Sequence, residues 1–144
     1  MLTESDRAVL DESFHACAVG TETINAVIQK VTDQRLALEL NRQACKYSSL
    51  NQKVTRKLAN EYETPKNHIG EKAKLWAGLQ MNTLTDSSTE HVAELVIRGN
   101  TMAITELMKV KKANKNAKKE YCELAEEIMD FEEKCIGTLK TYLK

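Results

Sequence analysis

The stretch EYCELAEEIMDFEEKCIGTLKTYLK, residues 120–144, carries the clearest pattern in the chain. Tyr121, Leu124, Ile128, Phe131, Cys135, Leu139 and Tyr142 recur at three- and four-residue spacing, the repeat that lines one face of a helix. Charged residues fill most of the rest, which predicts an amphipathic helix over about 117–143. Working back along the chain, Val92, Leu95, Val96, Gly99, Ala103 and Val110 predict a helix over about 88–112. Ser87-Ser88-Thr89-Glu90 reads as its capping box, with the Ser87 hydroxyl and the Glu90 carboxylate each satisfying a free N–H. Lys109, Lys111 and Lys112 complement the negative end of its dipole, and Asn114-Lys115-Asn116 forms a tight link onward.

The same spacing at Leu10, Phe14, Cys17, Gly20, Ile24, Ile28 and Val31 predicts a helix over about 4–31. After an Asp33 cap, Leu36, Leu40, Tyr47, Leu50, Val54 and Leu58 predict another over about 34–62. The single proline, Pro65, suits a first helical position, and Ile69, Ala73, Trp76 and Leu79 predict a shorter helix over about 66–81. Trp76 and Met81 read as residues that cap a core. Short links imply two antiparallel helix pairs, with the long segment 63–86 crossing between them. With 5 Gly, 1 Pro, 1 Trp, 4 Tyr and 2 Phe, the chain lacks the turn chemistry of a sandwich or barrel. The expected fold is all-α, one helical bundle domain over residues 1–144.

Lys plus Arg and Asp plus Glu each number 21, so no net field draws the chain to nucleic acid or to a membrane surface. Met1 to Arg7 is polar and acidic, unlike a secretory leader, and no apolar run approaches the roughly 18 residues of a span. A cytoplasmic protein is expected. Cys17, Cys45, Cys122 and Cys135 include no Cys-x-x-Cys pair and are expected as free thiols. Cys17 and Cys135 fall on apolar stripes, Cys122 at the edge of one and Cys45 away from its own; helix counting separates Cys17 from Cys135 by about two turns. Six lysines and no acid occupy 109–119, whereas seven acids and no base occupy 120–133, a local dipole whose lysine end can dock an anionic partner.

Polar residues inside the stripes are the candidate site. Glu106 lies seven residues after Gly99 and four before Val110, Glu132 lies between Ile128 and Cys135, and Gln43 and Asn51 flank Tyr47. A buried carboxylate without a partner is costly enough to take a proton or find a donor. The expectation is a buried polar layer of Gln43, Asn51, Glu106, Tyr121 and Glu132, in which Asn51 or Tyr121 serves Glu106. Glu12 and His15 project away from their stripe and read as water-facing, while His68 and His91 sit beside helix starts.

Two helical hairpins joined by a crossing segment, together with Gly20-Thr21-Glu22, the stretch from Gly70 to Trp76, and Leu95-Val96-Ile97-Arg98-Gly99, resemble the ferritin-like four-helix bundles. Small bacterial bundles of unassigned function in that superfamily are the nearer likeness. The metal-binding members need a Glu from each of two helices and Glu-x-x-His from each of the other two. This chain has three histidines and one Glu-x-x-His, Glu12 to His15, with Leu95 and Asn100 where the relatives carry acids. The resemblance therefore implies the fold without a di-iron or di-manganese cofactor. It suggests a non-catalytic structural or interaction protein that self-associates through its bundle faces. A divergent iron- or manganese-binding or redox bundle using Glu106 and Glu132 is the alternative.

Overall fold

A computed structural model describes residues 1–82, 84 and 86–143, and among these only helices, turns and connecting chain occur. Residues 83 and 85 of the expected crossing segment, and residue 144, lie outside them. The helices are α1 (Glu4–Val27), α2 (Gln34–Ala59), α3 (Asn67–Met81), α4 (Thr89–Ala113) and α5 (Lys119–Lys140), with a 3-10 turn, Ile28–Lys30, extending α1. No described helix is long and apolar enough to cross a membrane.

Side-chain caps start α1, α2 and α4. Thr3 opens α1 with a reciprocal box: its hydroxyl accepts the Asp6 N–H at 3.0 Å, and its own N–H donates to the Asp6 carboxylate at 3.0 Å. Asp33 caps α2 by accepting the Leu36 N–H at 2.9 Å. For α4 the cap is Ser88 rather than Ser87: its hydroxyl accepts the His91 N–H at 3.4 Å, which puts His91, not Glu90, at the third helical position where the expected box needs an acid. Pro65 likewise precedes α3 instead of starting it, because Lys66 takes the N-cap position. The Arg7 guanidinium donates to the Thr64 carbonyl at 2.8 Å and fastens this stretch to α1. Tyr62, with φ of 61°, supplies the left-handed residue beyond the end of α2, a role glycine usually fills.

Cross-helix pairs fix the directions. Tyr47 with Glu132, Lys53 with Glu127 and Lys57 with Glu120 step up α2 and down α5, so these helices are antiparallel. Lys111 pairs with Glu126, making α4 and α5 antiparallel too. Thr23 lies beside Gly99, and Asp11 shares a cleft with Lys109, which sets α1 antiparallel to α4. Each helix of the ring α1, α2, α5, α4 thus runs against its neighbours, while α2 and α4 point the same way.

Leu10, Leu36, Leu40, Leu50, Leu58, Leu107, Ile128 and Leu139 fill the interior with essentially no exposed surface. At roughly 1.5–3 kcal/mol for each fully buried large aliphatic side chain, this layer dominates the favourable side of folding. The shorter α3 lies along α1, where Ala73 meets Ala18 and Val19 and Trp76 lies against Gly99. Its outer side leaves Leu75 and Leu79 exposed.

Candidate functional site

Tyr47 is the centre of the polar interior. Its ring lies flat over Gly20 of α1, where an added Cβ would come within 2.6 Å of three ring carbons, so only glycine admits it. Phe131 of α5 presents an edge to the ring at 4.9 Å between centroids. This placement sends the phenol oxygen between α4 and α5, 2.6 Å from Asn100 Oδ1 and 2.9 Å from Glu132 Oε2. Tyr47, Asn100 and Glu132 are all buried, and together they tie three helices at one level.

Two acceptors face a hydroxyl that carries one hydrogen. Burial pushes the Glu132 carboxyl well above the usual carboxylate range; the Tyr47 hydrogen bond pulls it back and the Glu133 charge adds to the rise. The hydrogen that the second contact needs comes from whichever partner turns a donor towards the phenol oxygen, the Asn100 amide Nδ2 or a protonated Glu132. Burial likewise pushes Tyr47 well above its ordinary value, with the Glu132 charge next in size. Cys17 of α1 and Cys135 of α5 belong to the same neighbourhood. Burial, then Glu132, drives Cys17 well up and Cys135 to about 12, so both remain thiols. All four cysteines are unbridged. Ser13 Oγ, Gln43 Oε1, Asn100 Nδ2 and Glu132 Oε1 are buried without a hydrogen-bond partner.

Of the residues expected to form the layer, Glu132 and Gln43 are fully buried, but they do not join each other. Gln43 donates to Glu39 at 2.8 Å, and Glu39 in turn receives Arg42. The Asn51 side-chain oxygen, Oδ1, is buried without a partner. Tyr121 is buried, yet the α2–α5 pairs place it level with Lys57 and Leu58, about two turns from Asn51. Glu106 is not in the layer. Its side chain is 46% exposed and pairs with Lys109 at 3.5 Å, because the buried face of α4 runs through Asn100, Ala103, Ile104 and Leu107, which turns residue 106 to the rim. Asn100, absent from the expected set, takes the interior place. Tyr47 enters the sequence reading only as part of an apolar stripe; a tyrosine flanked by the amides Gln43 and Asn51 is the available signal.

Glu12 and His15 also depart from expectation. They bond at 3.1 Å with only 18% and 16% of their side chains exposed, because α3 runs alongside α1 and covers a face predicted to meet water. They line a cleft with His68, Lys72 and Lys109. His68 and His91 do lie at the starts of α3 and α4.

A di-metal centre of the ferritin-like kind does not fit these residues. Among the described residues the middle of the bundle offers one buried carboxyl, Glu132, which is already bonded to a phenol, while the other buried carboxyl, Asp6, lies at the bundle end. Glu106 points outward, and an amide stands at Asn100. Among the described residues no group of three His, Cys, Asp or Glu side chains is disposed to hold a metal ion. Compared with known families, curated proteins and solved structures, the chain finds no match.

Proposed function

We propose that this chain is a non-catalytic ferritin-like bundle with a structural or protein-interaction role and no resident cofactor. The ring of antiparallel neighbours, with α2 and α4 parallel and a long connection between them, supports the ferritin-like arrangement. One observation carries the functional reading: the Tyr47–Asn100–Glu132 group is sealed from solvent and joins three helices through the Tyr47 hydroxyl. Contacts with other molecules then fall to the outer faces. The exposed pair Leu75 and Leu79, one turn apart on α3, offers a surface for self-association.

Elemental analysis of protein purified without added metal, together with light scattering, tests this reading. The expected result is less than one iron or manganese ion per several chains, unchanged in Glu132→Gln. Stoichiometric metal that disappears in Glu132→Gln overturns it.

A further inference from the structure

The lysine run at 109–119 is the sequence feature that the core leaves unused. Most of its charges find acids: Lys109 pairs with Glu106, Lys111 with Glu126, Lys118 with Glu120 and Lys119 with Glu123. Lys112 and Lys115 are exposed and have no acidic partner among the described residues. They stand over a groove of about 460 Å³ between the end of α4 and the start of α5, floored by Met108, Cys122 and Met129. Cys122 and Met129 pack on the core behind, while Met108 is 42% exposed, so the floor is an outward continuation of the interior.

We propose that this groove docks an acidic amphipathic helix of a partner protein. The proposal rests on the interaction reading above and assigns it a surface. Methionine floors are polarizable and adapt to varied apolar side chains, which suits a helix laying one face between two others. Lys111, already neutralised by Glu126, leaves the Lys112 and Lys115 ammonium groups to meet carboxylates beside that apolar face. Nucleic acid is a poor match: no aromatic side chain lines the groove for base stacking, and the chain has zero net charge.

The test uses the full chain with methyl-labelled methionine and leucine. The probe is a synthetic helical peptide with Leu on one face and Glu elsewhere, compared with the same peptide carrying Lys in place of Glu. The Met108 and Met129 methyls should shift with the acidic peptide while Met102, packed against α3, stays put. Lys112→Glu combined with Lys115→Glu should weaken binding by about tenfold, as loss and reversal of two rim charges implies. Equal binding of the Lys peptide, no shift at the two methyls, or binding unmoved by the double variant overturns the proposal. So does a response to anionic vesicles alone. Shifts at Leu75 and Leu79 instead would sink the groove and leave the interaction reading standing, whereas stoichiometric metal would sink that reading itself.

Discussion

Asp6 and Glu132 are both buried carboxyls, one at the end of the bundle and one in its middle, and their protons are held in opposite ways. Asp6 lies among backbone donors. The Thr3 N–H reaches one of its oxygens at 3.0 Å, and the Lys118 N–H, from the start of α5, reaches the other at 2.8 Å. Burial alone would raise its pKa, but these donors and the Lys118 charge outweigh it and hold Asp6 below its ordinary value. Glu132 meets a phenol and, nearby, two thiols instead of N–H groups, and burial wins. Asp6, at the bundle end, has donors on both oxygens, whereas Glu132 lies deeper with only the Tyr47 hydroxyl beside it, so depth of burial and the donors within reach together set the opposite directions.

The two should therefore move stability in opposite directions with pH. Asp6, with a lowered folded pKa, contributes stability above about pH 4 and loses it as pH falls through its folded value. Glu132, with a raised folded pKa, contributes fully below about pH 4 and loses that contribution as pH rises towards its folded value. Urea melts across pH should show Asp6→Asn flattening the loss of stability below about pH 4 and Glu132→Gln flattening the loss that sets in above about pH 4. The largest single effect is expected from Glu132→Ala, about 3 kcal/mol, since it opens a cavity and strips Tyr47 of a partner. Glu132→Gln keeps a donor towards the Tyr47 oxygen and should cost less than about 1 kcal/mol at neutral pH. Equal damage from Gln and Ala would mean that Glu132 is needed as an anion, and the contrast with Asp6 would collapse.

Gly20→Ala attacks the middle of the molecule from another helix. The added methyl cannot coexist with the Tyr47 ring, so ring and hydroxyl must shift away from Asn100 and Glu132. A loss of about 2 kcal/mol is expected, typical of overpacking, with the acid limb governed by Asp6 unchanged. A wild-type melting temperature would show that the ring has another resting place. At the bundle end, Asp6→Ala removes one side of the α1 box and the acceptor for the Lys118 N–H, for about 1 kcal/mol in the same melts. No change on that substitution would make the link between α1 and α5 dispensable.

How visible these sites are in the sequence depends on what buries them. Glu132 is legible because Ile128, Cys135 and Leu139 surround it at helical spacing on one strongly amphipathic helix. The all-helical class and the caps at Asp33 and Thr3 rest on equally local signals, although the Thr3 box itself went unread. Asp6 is only half legible by such counting: its first donor, the Thr3 N–H, is three residues away, but the second, the Lys118 N–H, is 112 residues away. The burial of Glu12 and His15 is hidden for a similar reason, since periodicity describes one helix and says nothing of α3 arriving on its far side. Asn100 fails on phase. Gly99 lies beneath Trp76 of α3 as well as near Thr23, so α4 buries more than one stripe, and the face towards Tyr47 centres about one residue later than the apolar spacing suggests.

Glu106 is the third carboxyl, and it sharpens the comparison by having neither kind of environment. Apolar spacing places it on the same stripe as Val92, Gly99 and Val110, and a buried Glu106 would have demanded a donor as Glu132 does. Its side chain instead reaches solvent and meets Lys109 three residues along the same helix, both ends well exposed. Water screens such a pair, and holding two long side chains together offsets most of the attraction. Glu106→Ala should therefore change stability by less than about 0.5 kcal/mol in the same melts. Glu106→Gln should behave the same, because neither the charge nor the hydrogen-bonding head serves a buried neighbour. A loss of 1 kcal/mol or more from Ala but not from Gln, roughly the cost of stranding a buried donor, would return Glu106 to the interior and make three carboxyls, not two, responsible for the polar layer.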